Sequence, residues 1–336
     1  MSDRVRWGVL GAAKIAVEKV VPAMQRADHV EMVAIASRDE ARARQAAGRL
    51  HLPRAFGSYE ELLASDEIDA VYIPLPNQLH VPWAIEALEA GKHVLCEKPI
   101  ALTAAEAQEL VAVADRSPHL KAMEAFMYRF HPQWRTAARW LEEGEIGELR
   151  SVHSHFAYRN LDPGNVRNRP ETGGGGLLDI GCYDVSLSRF LFGREPVRVV
   201  ASVENDPDFG VDRLASALLD FGDGATATFT CATQLEPYQR AHAFGTQGRI
   251  EIVTPFNAPP TGACRVLRQR GHETRELTFR DVDQYTLQGE AFSKAVLDDL
   301  PVPTPLSDAV ANMRVLDAIR ASGAEGGWVE VPGGGA

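Results

Sequence analysis

Val5-Arg6-Trp7-Gly8-Val9-Leu10-Gly11-Ala12-Ala13-Lys14-Ile15-Ala16 opens with a short apolar run that breaks at a glycine and passes into helix-forming sequence. Val5–Leu10 has the composition of a buried strand, and residues 14–27 carry helical periodicity. Gly11 permits a tight turn at the strand end. Ala13 is small enough for backbone to approach a bound group, and Ala16 for the helix to pack closely on the strand. The amides at such a helix start have no internal acceptors and suit a pyrophosphate. With alanine at two of the three fingerprint glycines, the motif taken bare is equally that of an ordinary strand–helix turn.

Working outward, the pattern repeats. Strands are expected at 31–37, 69–73, 93–96 and 120–125, with helices at 39–50, near 59–65, at 78–90 and at 104–116. Alternation of this kind predicts an α/β Rossmann domain over residues 1–123, a parallel sheet covered by helices on both faces. From 124 to 330 the spacing changes. A helix at 132–142 and a helical stretch ending near Phe192 accompany alternating segments at 149–158, 197–205, 213–221, 225–235, 249–253 and 263–268, and a helix is expected at 307–321. The expectation is an α+β domain with an open, mainly antiparallel sheet.

Composition limits what the chain can do. Its 336 residues exceed one ordinary core, and a net charge of −11 without a basic stripe argues against a nucleic-acid partner. Cys96, Cys182, Cys231 and Cys264 are widely separated, with no CxxC pair, and read as reduced core residues. No apolar run approaches membrane-spanning length and the first residues lack a signal-peptide pattern, so the expected location is cytoplasmic, with no membrane partner. No His, Cys and Asp cluster has metal-ligand spacing, and none is expected.

Three further places carry chemistry. The second strand ends in Ala36-Ser37-Arg38 with no acidic residue to hold a ribose 2′-hydroxyl, so Ser37, Arg38 and the nearby Arg42 suit the 2′-phosphate of NADP, with NAD as the alternative. Val94-Leu95-Cys96-Glu97-Lys98-Pro99 places Lys98 at a strand's carboxyl end, where open α/β sheets bind ligands. Gly174-Gly175-Gly176-Leu177-Leu178-Asp179-Ile180-Gly181-Cys182-Tyr183 puts Asp179 and Tyr183 four residues apart on one helical face. A tyrosine can exchange a proton, and a nearby ammonium favours its phenolate. The same spacing also fits a buried tyrosine beside an aspartate.

Taken together with Tyr72-Ile73-Pro74-Leu75-Pro76-Asn77-Gln78-Leu79-His80 and Glu124-Ala125-Phe126-Met127-Tyr128-Arg129, these segments stand in the order of the glucose–fructose oxidoreductase/inositol dehydrogenase (Gfo/Idh/MocA) family, which the chain resembles over essentially its whole length. Tyrosine at position 183, where inositol-type members carry histidine, is similar to the branch of glucose–fructose oxidoreductase, dihydrodiol dehydrogenase, aldose dehydrogenases and sugar 3-ketoreductases. The resemblance implies that Lys98 and Tyr183 are the catalytic pair and that Asp179 helps hold the substrate. Gly11, Ala12, Ala13, Lys14, Ile15, Pro74, Leu75, Pro76, Asn77, His80, Glu97 and Lys98 would then line the dinucleotide. Arg169, also placed with the cofactor residues, and Tyr285 are further candidates for sugar contacts.

The expected reaction is hydride transfer between NADP and a sugar carbinol, with an aldose such as D-xylose oxidised to a lactone. A 3-keto nucleotide-sugar reductase or a trans-dihydrodiol dehydrogenase would use the same residues, and a non-catalytic NADP sensor would need none of Lys98, Asp179 and Tyr183. By family resemblance, the open sheet face would join a homodimer or homotetramer.

Overall fold

The computed structural model describes residues 3–334. The chain divides into two compact units, one running to Met127 and including Asp283–Val310, the other comprising Tyr128–Val282 and the residues from 311 onward.

In the first unit, β1 (Val5–Leu10), β2 (Val30–Ala36), β3 (Arg54–Phe56), β4 (Ala70–Ile73), β5 (His93–Cys96) and β6 (Ala122–Glu124) form a six-stranded sheet ordered β3-β2-β1-β4-β5-β6. Every pairing is parallel. Strands buried on both faces must be apolar throughout, which is why Ala70–Ile73 and most of β1 are buried. The strand order reverses between β1 and β4, so a crevice is expected at the carboxyl ends of these two strands.

A helix at Gln284–Leu297 belongs to this unit, although the sequence reading placed residues 283–310 with the second domain. Its attachment is specific. The buried Trp7 donates through Nε1 to Ser293 Oγ at 3.1 Å and meets Phe292 with ring centroids 5.3 Å apart. Glu290 accepts from the backbone amide of His29, and Asp283 pairs with Arg26. The helix Leu306–Glu325 then carries the chain into the second unit.

The second unit is built on nine strands: β7 (Leu149–Arg159), β8 (Arg198–Asn205), β9 (Asp212–Asp220), β10 (Thr226–Ala232), β11 (Gln234–Gly245), β12 (Arg249–Ile252), β13 (Ala263–Arg270), β14 (Glu273–Arg280) and β15 (Val329–Glu330). Their order is β14-β13-β12-β11-β7-β10-β9-β8-β15, and only the β7–β10 pairing is parallel. Residues alternate buried and partly exposed along β9 and β10, the pattern of a sheet with one face on the core and the other open. The core side holds the helices Pro132–Glu142 and Cys182–Phe192, with Trp134 and Trp140 fully buried.

All four cysteines are free and buried. Among the described residues, no helix is long and apolar enough to cross a membrane.

Candidate active site

In the first unit the site is assembled at the carboxyl ends of the strands. Gly11 takes φ +111°, a conformation that L side chains rarely adopt, and an added Cβ would lie 2.8 Å from Leu75 Cδ2. The chain then enters a helical stretch over residues 14–24 whose central turn, Ala16–Val20, is π-helical. Val17 is the first residue here whose amide finds a backbone acceptor, at Ala13. The preceding amides of Ala12, Ala13, Lys14, Ile15 and Ala16 make no backbone hydrogen bond among the described residues. A glycine turn followed by uncommitted amides fits a dinucleotide pyrophosphate.

The β2 end adds positive charge to the same place. Ser37 is buried, Arg38 and Arg42 are exposed, and the Arg42 guanidinium donates to the Ala12 carbonyl at 3.0 Å. Burial raises the Tyr59 hydroxyl's pKa, against the lowering influence of Arg38 and Arg42, so these guanidiniums stand within electrostatic reach of that phenol.

Pro74 is buried at the β4 end, while Leu75, Pro76 and Asn77 are partly exposed. Glu97 is buried at the β5 end and accepts from Tyr72 Oη at 2.6 Å. Lys98, next along, is partly exposed and precedes a cis peptide to Pro99.

His80 lies apart from the expected cofactor contact. The resemblance puts it along the dinucleotide, but its ring is 1% exposed and turned into the protein. Nδ1 lies 2.7 Å from the Pro99 carbonyl and Nε2 2.8 Å from that of Leu75. Two carbonyl acceptors favour a protonated ring, yet burial outweighs them and, with the Lys98 charge, holds the pKa at about 4. The neutral ring carries a single N–H and donates to only one of these carbonyls, so it packs between the β4 loop and the Lys98–Pro99 segment and holds one of them by a hydrogen bond. Tyr285 stands within reach of the Glu97 charge; burial first, then Glu97 and Asp283, push its pKa upward.

In the second unit the glycine run positions the functional helix. Gly175 takes φ +109°, and a Cβ there would sit 2.0 Å from Asp212 Oδ1. Asp212 in turn accepts from the Leu177 amide at 2.6 Å, capping the helix from a distant strand. Burial lifts this carboxyl to about 6, opposed by the amide bonds it accepts and by Arg320. The first turn after the cap, Leu177–Gly181, is π-helical and continues into Cys182–Phe192.

Asp179 lies in the π turn and Tyr183 in the α-helix after it. Two side chains that the sequence reading did not single out converge on Asp179. Tyr158 on β7 donates to Oδ2 at 2.6 Å, and Arg167 Nε meets the same oxygen at 2.9 Å. Asp179 holds the Arg167 pKa above its ordinary value against the opposing effect of burial, with Tyr183 adding to the rise. Burial, then Asp179, push the Tyr158 hydroxyl upward, keeping it neutral. The Tyr183 ring is 4% exposed and packs on Tyr128, Phe156 and Phe256, at centroid distances of 5.8, 5.8 and 5.3 Å. Arg169 is exposed and folds over its own loop, donating to the Pro163 carbonyl at 3.3 Å. The only advance signal for Arg167 was its place in a polar loop just ahead of the glycine run.

A parallel sheet that switches strand order beside a phosphate turn, joined to a unit presenting an acid and a phenol on one helix, defines a nicotinamide-dependent oxidoreductase. Sequence comparison gives the particular family: an oxidoreductase family model with an NAD-binding Rossmann fold matches residues 5–124, a GFO/IDH/MocA C-terminal domain model matches residues 134–251, and the chain belongs to the Gfo/Idh/MocA family. An oxidoreductase of Rhizobium meliloti, ORF334, is 46% identical, the match covering 98% of this chain and 100% of that one. The D-xylose 1-dehydrogenase (NADP(+)) 2 of Haloferax volcanii is 42% identical, over 97% of this chain and 99% of its own length. Among solved structures, the 3-ketoreductase KijD10 of Actinomadura kijaniata, in complex with NADP and TDP-benzene, superposes with a TM-score of 0.89 at 34% identity, covering 95% of this chain and 98% of that one.

Proposed function

We propose that this protein is an NADP-dependent aldose 1-dehydrogenase acting on a D-xylose-like sugar and forming its lactone. The observation that carries the sugar assignment is the setting of Asp179, a carboxylate shared by a guanidinium and a phenol. A polyhydroxylated sugar satisfies such groups, whereas an aromatic diol would leave several of them unpaired. The 42% identity to a D-xylose dehydrogenase over almost the whole chain supports the aldose over other sugars.

The dinucleotide would be held by residues 11–15, Ser37, Arg38, Arg42, residues 74–77 and Glu97, and would supply the hydride acceptor or donor. Tyr183 takes the proton of the reacting carbinol oxygen as that carbon is oxidised and returns it in the reverse direction. The family resemblance assigns Lys98 to donate to the same oxygen and to favour the Tyr183 phenolate by its charge. Asp179 accepts from a neighbouring sugar hydroxyl and holds the reacting carbon in attack range. Ser37 and Arg38 select the 2′-phosphate; NAD, lacking it, is the poorer cofactor.

A second reading, reduction of a 3-keto nucleotide sugar by the same residues, is favoured by the likeness to KijD10. A dihydrodiol dehydrogenase is disfavoured by the polar surroundings of Asp179, and a non-catalytic sensor by the joint presence of Lys98, Asp179 and Tyr183. The open sheet face, where Ser202, Ser216, Leu218, Thr228 and Thr230 line a shallow cavity, is proposed as the contact of a homodimer or homotetramer.

The test is the absorbance of reduced nicotinamide with NADP and a panel of pentoses, hexoses and dihydrodiols, followed by the reverse assay with 3-keto sugars. Turnover fastest on D-xylose supports the reading. Turnover confined to keto sugars or diols transfers the assignment to those substrates, and cofactor binding with no turnover on any compound identifies a sensor.

A further inference from the structure

Arg167 stands outside the catalytic trio and outside the cofactor residues. It lies in a short 3₁₀ turn, Val166–Asn168, opened by Asn165, whose side chain accepts from the Arg167 amide at 3.1 Å. The glycine run holds that turn from the other side. The Gly175 amide donates to the Arg167 carbonyl at 2.9 Å and the Gly174 amide to the Arg169 carbonyl at 3.0 Å. One stretch of backbone therefore fixes both Arg167 and the start of the helix bearing Asp179 and Tyr183.

The guanidinium is half-exposed, so it keeps contact with water while its Nε is committed to Asp179. Tyr158 Oη reaches the same Asp179 oxygen, so two donors from two different elements fix the rotation of that carboxylate. The titratable and charged groups around this point come from several elements. Asp179 and Asp184 are on the helix with Tyr183, Tyr158 is on β7, Tyr128 packs on the Tyr183 ring, and Asp212 on β9 lies behind the helix start with Arg320 in its field. Asp184 is fully buried, and burial pushes its carboxyl well above the usual carboxylate range, with the Ser154 hydroxyl opposing. The cations here are Arg167, Arg320 and Arg129, which donates to Tyr128 Oη at 3.4 Å and to Ser186 Oγ at 2.7 Å; Arg167 is paired to Asp179, one helical turn from Tyr183.

We propose that Arg167 is a positioning residue of the reaction, clamping the Asp179 carboxylate with Tyr158 and holding a permanent positive charge on that carboxylate, one helical turn from Tyr183. The assignment rests on the reading of Tyr183 as the proton-exchanging group. Two consequences separate its two parts. The charge favours phenolate and therefore acts on the pH dependence of proton exchange. The clamp fixes where Asp179 meets the sugar and therefore acts on KM.

The deciding measurement is an ultraviolet difference titration of phenolate in the full-length protein, where the Tyr183→Phe variant identifies the Tyr183 component. Arg167→Gln should move that component up by about one pH unit, while Arg167→Lys, which keeps the charge, should leave it near the wild-type position. In turnover assays Arg167→Gln should shift the rising limb of kcat against pH by the same amount, and Tyr158→Phe should raise KM without moving that limb. A Tyr183 component that titrates alike in wild type, Arg167→Gln and Arg167→Lys overturns the charge role. A Tyr158→Phe variant with unchanged KM overturns the clamp. The titration needs no turnover, so a wild-type protein inactive on every sugar refutes the functional reading alone and leaves the Arg167 assignment to be decided by phenolate absorbance.

Discussion

The turn after β1 and the turn before residues 177–192 are built alike. Gly11 and Gly175 take φ +111° and +109°, and each leads into a helix whose early turn, Ala16–Val20 or Leu177–Gly181, is π-helical. They differ in what meets the helix start. In the first unit the amides of residues 12–16 find no backbone acceptor among the described residues, and the nearest atom to a Gly11 Cβ would belong to the movable side chain of Leu75. In the second, Asp212 occupies the equivalent place, with one carboxylate oxygen on the Leu177 amide and the other where a Gly175 Cβ would go. One turn is left open to an anion from outside, and the other is closed by an anion of its own. A closed turn frees the helix behind it to present side chains, which is where Asp179 and Tyr183 lie.

If the division of labour is real, substitutions at the two turns should fail in different assays. The largest effect is expected behind the closed turn. Tyr183→Phe should lower kcat by roughly 10²–10⁴-fold with NADP affinity nearly unchanged, and Lys98→Ala should behave likewise. Near-normal turnover in either variant, measured beside NADP binding by fluorescence titration, would break the assignment.

Next comes the closed turn itself. Gly175→Ala combines an unfavourable backbone with a contact of 2.0 Å to a fixed carboxylate, so a loss of about 3 kcal/mol or more in urea unfolding is expected. Gly11→Ala should cost about 1–2 kcal/mol and show chiefly as weaker NADP binding. Equal stability losses at the two positions would remove the contrast.

The third effect is a pH dependence. Asp212 has a folded-state pKa of about 6, raised above its ordinary 3.8, so the native protein binds this proton more tightly than the unfolded chain. Its contribution is present in full below the unfolded value and is lost as pH rises through about 6, amounting to roughly 2–3 kcal/mol at most across that interval. Asp212→Asn should flatten the urea-unfolding stability between these two pH values, and an unaltered slope would show that the closing carboxylate titrates normally. The smallest effect belongs to the open turn's rim, where Ser37→Asp or Arg38→Ala should reduce the preference for NADP over NAD by about tenfold in kcat/KM.

Much of this was legible in the sequence because it is local. The run from Val5 to Ala16 contains strand, turn and helix in one reading, and the segments carrying Lys98 and Tyr183 stand in the order of the family's motifs. What escaped is non-local or locally ambiguous. β11 contains Glu236, Pro237 and Arg240, which interrupt strand-like alternation, yet it pairs with both β7 and β12. The helix Gln284–Leu297 has mixed polarity, and its role became visible only through Ser293 and Phe292 meeting Trp7 nearly the whole chain length away. Tyr158 and Arg167 lie upstream of Asp179 on a different strand and turn, so no helical spacing could place them beside it. Asp212 as a remote cap, and the insertion of a π turn at each helix start, leave no mark in residue type. His80 was misplaced for a related reason: a histidine near strand ends looks like a ligand contact, while its two carbonyl partners come from separate loops.

The return of residues 283–310 to the first unit bears on how the polypeptide is made. On the ribosome, the N-terminal strands emerge long before the helix that shields Trp7, so the nascent parallel sheet must wait with one apolar side uncovered until some 280 residues have been synthesised. A premature stop anywhere before that helix would release a chain with an exposed tryptophan face and a strong tendency to aggregate, and no uninterrupted fragment reproduces the nucleotide-binding half. Completion of the earliest-made part depends on one of the last-made parts, which ties quality control of the whole enzyme to its C-terminal region.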